Sequence, residues 1–447
     1  MTIKKITLQR FNALAGYARQ PQLALMSVEQ RWYATKNEEV VATIFRDNED
    51  KDYALVSFCR DLQERYRLVA MTDFKSTLAE AEAEVDTVLK NILSNLAKER
   101  VQGDEKSPPV NFFKIHKENA KHNENFLRLR DDPSYSPAKK IIEPMMRWNP
   151  DNDGNYIEQF QTVAFEQRLW ELYLFALVVE ANMVVSKEHA VPDLCAKGLY
   201  GEITIEATTV NPSIGKDNLV IPAPPVDTQE EKDAYVRHYM PIKFATPLTA
   251  KLKKRYWEQK HVQGRPLIFA IQDFPEYEKQ LLGSDALSTY LYGIYKKDLD
   301  SEPEKITDHQ WGKKAPVPSN FFSLPGSEHI SAVLYNPHAN IEKFVRMGII
   351  SGFDSKAVFA KREATILQTS SAGAVQLHEI SVYVGSNGYR EQWIEGTEIF
   401  HNPNAIKPLD MSVFSGALQH IYHEGEGMTV AVPTVAFLRE RTIFTRT

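Results

Sequence analysis

Apolar residues recur at steps of three and four through Leu78, Ala81, Val85, Val88, Leu89, Ile92 and Leu96, which predicts a helix over residues 77–98. Ahead of it, residues 40–45 and 53–58 read as two strands joined by a turn at 48–52, so residues 1–105 form an expected N-terminal α/β unit. Residues 106–155 are charged and carry Ser107-Pro108-Pro109 and Asp131-Asp132-Pro133. They are expected to be a connector with one polar helix. At Tyr156 the pattern changes. A helix is predicted over 156–183, strands over 191–197 and 202–209, a Pro-rich loop over 211–247, and a basic helix over 249–260. Residues 266–271 are almost continuously apolar, as in a strand covered on both faces. Beyond lie a helix over 284–297, an irregular stretch over 298–328, and strands at 330–335, 380–384 and 429–437. The expected fold class is α/β (α+β): a mixed central sheet flanked by helices in a core over 156–300, with a strand-rich extension over 301–447 packed on it.

The hairpin in this core carries the candidate chemistry. If Asp193 sits opposite Glu206, Lys197 sits opposite Glu202, and residues 198–201, with a glycine at each end, are left as a four-residue turn. Opposed side chains emerge on one face about 4.5–5.5 Å apart. Ile203, Ile205 and Ala207 then point one way and Thr204, Glu206 and Thr208 the other. Two carboxylates this close repel unless a cation lies between them. Mg²⁺, or Mn²⁺ in its place, suits such a pair, because it takes hard oxygen ligands and keeps several waters.

Composition narrows the classes. The chain has 447 residues, 43% hydrophobic and 25% charged, which excludes a wholly disordered protein, and at about 150 residues per domain suggests about three domains or one elaborated core. The net charge of −6 excludes a bulk polycation, so nucleic acid would have to bind a local basic patch. Two cysteines, Cys59 and Cys195, are too few for a disulfide framework and read as reduced thiols. The N-terminus has no long apolar stretch of a secretory signal, and the apolar run at 172–185 is shorter than the roughly 20 residues of a bilayer span. A cytoplasmic protein without a membrane partner is expected.

Pro192-Asp193, a spaced Glu206-Ala207-Thr208, and a preceding helix that bears a glutamate resemble the PD-(D/E)xK nuclease superfamily. The resemblance implies a restriction-endonuclease-like core and a Mg²⁺- or Mn²⁺-dependent nuclease acting on nucleic acid, DNA first. Asp193 and Glu206 would hold the metal, with the carbonyl of Ala207 completing the set. Thr208 stands where the superfamily usually has Lys, and a hydroxyl cannot supply that charge. In several branches the lysine has moved to the next helix; Lys251 is the first candidate here and Lys254 the second. Lys253, Lys254 and Arg255 would contact phosphates. For the helix acid, Glu166 and Glu171 lie about 140° apart around the axis, and Glu166 is preferred because Trp170, Tyr173 and Leu177 share its face.

A narrower resemblance rests on FEQRLWELYL, PDL, IEATT, KLKKRYW, PLIFAIQDF, SEHISAVLY, KFVRMG and FHNPNA, spread over most of residues 160–410. It is to a group of uncharacterised bacterial proteins with the same nuclease-like core, and it strengthens the fold more than the function. By analogy, a role in defence against phage or mobile DNA is implied. A homodimer, or a partner protein, is compatible with cutting two strands. The competing reading is a catalytically silent nucleic-acid- or protein-binding module.

Other signals are weaker. His420 and His423 have i, i+3 spacing and could ligate a metal only on a helix. His329 is expected as a cap or core group, and Tyr256 and Trp257 as core packing. The Asp151–Gly154 turn lacks the glutamate of a calcium loop, since Thr162 stands at its twelfth position. Neither a phosphate-binding Gly-x-x-x-x-Gly-Lys-Ser/Thr loop nor a Gly-x-Ser-x-Gly elbow is present.

Overall fold

The computed structural model describes residues 2–105, 108–149, 154–186, 188–215, 217, 219–298, 301–313, 315–353, 358–370, 373–423 and 427–446. The calcium-like turn at 151–153 lies outside them.

The N-terminal unit is a meander of five antiparallel strands, Ile3–Ile6, Ser27–Thr35, Val40–Asp47, Tyr53–Arg60 and Tyr66–Met71. One face takes the Leu78–Ser94 helix, whose Ala81, Val85, Leu89 and Ile92 pack on Val40, Ala42, Ile44, Leu55 and Cys59. This helix starts where the sequence indicates. Thr77 accepts from the Glu80 amide and Glu80 returns to the Thr77 amide, closing a capping box. It ends at Ser94, short of 98. The other face, through Val41, Phe58 and Tyr66, joins the main core of the molecule.

The stretch read as a polar connector holds two helices, Glu124–Asp131 and Ser136–Trp148. The second is amphipathic: Ala138, Ile141, Ile142, Met145 and Met146 are buried against the main core. The helix expected over 156–183 is broken into Tyr156–Gln161 and Phe165–Glu180. Gln161 causes part of this by turning its amide inward to the carbonyls of Phe112 (3.0 Å) and Lys114 (2.8 Å), while the Thr162 hydroxyl bonds back to Glu158 (2.7 Å).

The central sheet has eight strands in the spatial order Gly427–Ala431, Leu418–His423, Glu398–His401, Ala332–Tyr335, Leu267–Gln272, Gly201–Thr209, Leu194–Gly198, Val184–Ser186. Gly201–Thr209, Leu267–Gln272 and Ala332–Tyr335 run parallel, and the hairpin and the outer strands make the sheet mixed. The fold is α+β, a mixed sheet flanked by helices. On one face the Phe165–Glu180 helix packs with Ile203, Ile205, Ala207, Ile268, Ala270 and Leu334. On the other, the Met240–Leu252 and Gln280–Tyr292 helices cover Leu267, Phe269, Ile271, Val333 and Tyr335. Both sides of Leu267–Gln272 are buried, as its unbroken apolar run demands.

Four expectations are corrected here. The loop assigned to 211–247 is helical from Gln229 onward, with Thr228 and Glu231 forming a second capping box. This helical run passes through a wide turn at Tyr235–Tyr239 into Met240–Leu252. Pro241 cannot donate to the carbonyl of Arg237, which His309 Nδ1 engages at 2.6 Å instead. The basic helix does not reach 260. It stops at Leu252, and Arg255 takes a left-handed conformation (φ 51°). The last part of the chain does more than pack on the core, since Glu398–His401 and Leu418–His423 are strands of the central sheet. The strand expected at 429–437 is two strands, Gly427–Ala431 and Val435–Arg446. The latter pairs with Val358–Thr369, and Val375–Tyr383 completes a separate three-stranded sheet. An Ile341–Ile350 helix, unforeseen, packs on Ser136–Trp148. Among the described residues, no helix is long and apolar enough to cross a membrane.

Candidate functional site

The hairpin register places the acidic pair. Lys197 faces Glu202, Ala196 faces Ile203 and Leu194 faces Ile205. Pairing also continues one step further than expected: Gly198 faces Gly201, so the loop is the two residues Leu199 and Tyr200 rather than four. Gly201 makes this tight closure possible, because its φ of 109° is open to glycine and not to a residue with a side chain. Leu194 and Ile205 both face the Phe165–Glu180 helix. Asp193 and Glu206, each one residue away, therefore leave the opposite face of the sheet together. Asp193 lies just past the last rung, and its Oδ2 accepts the Ala207 amide at 2.7 Å.

Glu206 is 2% exposed. Its two oxygens differ. Oε1 takes an ion pair from the Lys251 ammonium and a 2.5 Å hydrogen bond from the Tyr256 hydroxyl. Oε2 is buried and has no hydrogen-bond partner among the described residues. Burial, the charge of Glu206 and that of Glu171 together hold the Asp193 carboxyl well above the usual carboxylate range, against the pull of Lys251 and the Ala207 amide. A proton affinity raised by burial and by neighbouring carboxylates thus lies beside a carboxylate oxygen that no described residue engages. The donor set, all hard oxygens, fits Mg²⁺ or Mn²⁺.

The third acid differs from the expectation. Glu166 is turned away to the start of the Glu124–Asp131 helix, where Asn123 and Asn125 donate to it at 3.2 and 3.0 Å. Glu171 is the helix acid whose charge reaches Asp193. It is 6% exposed and paired with Arg168 at 2.6 Å. Apolar company misled the choice because this helix is buried almost all round, from Leu169 to Val178. The three carboxylates do not converge tightly. Among the described residues, the one trio of acidic, His or Cys ligand atoms within 4.8 Å is Asp61, Asp104 and Glu105. Arg65 already pairs with Asp61 at 2.7 Å, and Arg67 with Asp104 at 3.0 Å.

Thr208 is buried one step beyond Ala207 and brings no charge. Lys251, in the last turn of its helix, supplies the ammonium that Thr208 lacks. Lys253, Lys254 and Arg255 are exposed in the turn after the helix, not on a helix face, and Arg255 pairs with Glu258 at 2.6 Å. Tyr256 is in the core as expected, but its hydroxyl reaches the site, a role the sequence did not announce. Trp257 stacks on His329 with centroids 4.6 Å apart. His189 and His261 were also missed. Their rings stack at 3.7 Å, and His261 Nε2 meets the carbonyl of Val191 at 2.7 Å, steadying the chain just before Pro192-Asp193. His420 and His423 lie on a strand, where i, i+3 residues point to opposite faces, so they form no metal pair. His420 instead contacts Glu398 at 2.7 Å.

No family model, curated protein or solved structure matches this chain.

Proposed function

We propose that the chain is a Mg²⁺-dependent nuclease, acting on DNA first, built on the PD-(D/E)xK arrangement that its motifs resemble. The observation that carries this reading is the asymmetry of Glu206: Oε1 is fixed by Lys251 and Tyr256, and Oε2 is left unpartnered beside a carboxyl of raised proton affinity. Asp193 and Glu206 Oε2 are the residues that would hold the metal, with the Ala207 carbonyl as the backbone ligand the motif implies. Glu171 takes the role first assigned to Glu166, acting directly or through water. A bound divalent cation would supply charge neutralisation at the phosphate and a more acidic water. Lys251 orients Glu206 through their ion pair, and its ammonium would steady charge developing on the phosphate. Lys253, Lys254 and Arg255, exposed two to four residues after Lys251, would hold the flanking backbone in a salt-dependent way. Two buried cysteines, Cys59 and Cys195, neither in a disulfide, accord with a reducing cytoplasmic setting, and defence against invading DNA would be its use.

Cleavage of supercoiled and linear DNA in Mg²⁺, with single- and double-stranded RNA as alternatives, tests the proposal. Asp193→Asn and Glu206→Gln are expected to abolish it. Persistent cleavage in both variants would refute the assignment. A second reading, a silent binding module, is favoured by the Lys251–Glu206 ion pair, which already neutralises one carboxylate, and by Thr208 in place of lysine. Calorimetry with Mn²⁺ separates the two: the nuclease reading expects binding that Asp193→Asn removes, and the silent module expects none at millimolar metal.

A further inference from the structure

A separate cavity of 770 Å³ opens where the start of the Gln229–Leu252 helical run, the end of the Gln280–Tyr292 helix, and the strands Leu418–His423 and Gly427–Ala431 meet. Its volume suits a ligand of nucleotide size. Lys232, Lys296 and Lys297 line it, the last two exposed. Lys297 lies 4.0 Å from Asp233, too loose a pair to consume its charge. Tyr292 and Tyr422 bring their rings to the same cavity, with centroids 5.7 Å apart. The Tyr292 hydroxyl is already given to the carbonyls of His401 (2.9 Å) and His420 (3.2 Å), and its buried ring backs Tyr422, which is the half-buried ring of the pair. Asp285 completes the lining. Behind it, Glu398 is tied to the Ser284 hydroxyl at 2.6 Å and to His420 at 2.7 Å. Asp285 itself is exposed to the cavity and offers its carboxyl oxygens there.

Cations, aromatic surface and two carboxylates, Asp233 beside Lys297 and the more open Asp285, converge on a space of this size. They match the three parts of a nucleotide: phosphate, planar base, and the N–H or hydroxyl groups of base and ribose. We propose that this cavity binds a nucleoside monophosphate, with the lysines on the phosphate, the base against Tyr422, and Asp285 accepting from the base or sugar. The proposal does not depend on the nuclease reading. It does place the ligand on the first turns of the same helical run whose last turn carries Lys251.

Isothermal calorimetry on the full chain tests it, in EDTA so that the acidic site carries no metal. AMP, GMP, CMP and UMP are the ligands, and adenosine and inorganic phosphate the controls. At least one monophosphate should bind saturably near 1:1. Affinity should fall about tenfold or more in the Lys296→Ala/Lys297→Ala double variant and in Tyr422→Ala, and stay unchanged in Asp193→Asn. Absence of binding by all four at millimolar concentration would overturn the proposal. So would phosphate or adenosine binding as tightly as the nucleotide, or undiminished affinity in both cavity variants with native melting curves.

Discussion

The hydroxyl of Tyr256 and the carboxylate of Glu206 meet at 2.5 Å inside the sheet–helix interface, on the same oxygen that receives the Lys251 ammonium. Two donors on one oxygen and none on the other give the carboxylate a single orientation. Tyr256→Phe removes one of them. Chemical denaturation should show a loss of about 1–3 kcal/mol, since the hydrogen bond is to a charged group. Mn²⁺ affinity should fall while the remaining Lys251 pair keeps the fold, and an unaltered metal affinity would show that the tyrosine has no part in orienting the ligand.

Lys251→Met strands the Glu206 charge in a buried setting. A loss of about 3–5 kcal/mol is expected, and the double variant Lys251→Met/Glu206→Gln should regain most of it. A double-mutant cycle by urea unfolding reads the coupling directly. Additive losses would mean that the pair is not the main partner of either group.

Asp193 sets a pH signature. Its folded-state carboxyl holds a proton more tightly than the unfolded one, so in the window above the ordinary carboxylate value of about 3.9 the folded state binds more protons. Stability attributable to this residue is therefore present at low pH and lost as pH rises toward the raised value. Without metal, Asp193→Asn should melt higher than wild type at neutral pH, with the difference shrinking toward pH 4. Adding Mn²⁺ should raise the wild-type melting temperature and leave the variant unmoved.

The two helix glutamates should separate cleanly. Glu171→Gln should lower metal-dependent cleavage. Glu166→Gln weakens only the bonds to Asn123 and Asn125 and should cost about 1 kcal/mol of stability with activity retained. Cleavage assays with melting curves on both variants decide it, and the reverse pattern would restore Glu166 to the site.

What the sequence made legible was local. Period-two alternation and two glycines were enough to set the hairpin register, and the apolar run before Gln272 was enough to mark a strand with two covered faces. The face shared by Asp193 and Glu206 followed from that alternation. What was hidden depended on distant partners. Prolines at 241 and 247 masked a helix that the Thr228–Glu231 box begins and that His309 helps to accommodate. Apolar neighbours favoured Glu166 over Glu171 in the sequence, but they surround the helix on all sides and so carry no ranking. The strands Glu398–His401 and Leu418–His423 are short, and their place in the central sheet is set by pairing with residues far along the chain.

That long reach has a consequence during synthesis. The Phe165–Glu180 helix, which carries Glu171, is tied down by residues more than 200 positions later: Glu180 accepts the amides of Trp393 (2.9 Å) and Ile394 (2.9 Å), and the Tyr173 hydroxyl donates to the Trp393 carbonyl at 2.6 Å. Those anchors leave the ribosome only after the acidic residues have long emerged. A nascent chain thus carries every candidate metal ligand before the helix beside them is locked and before the last strands of the central sheet exist.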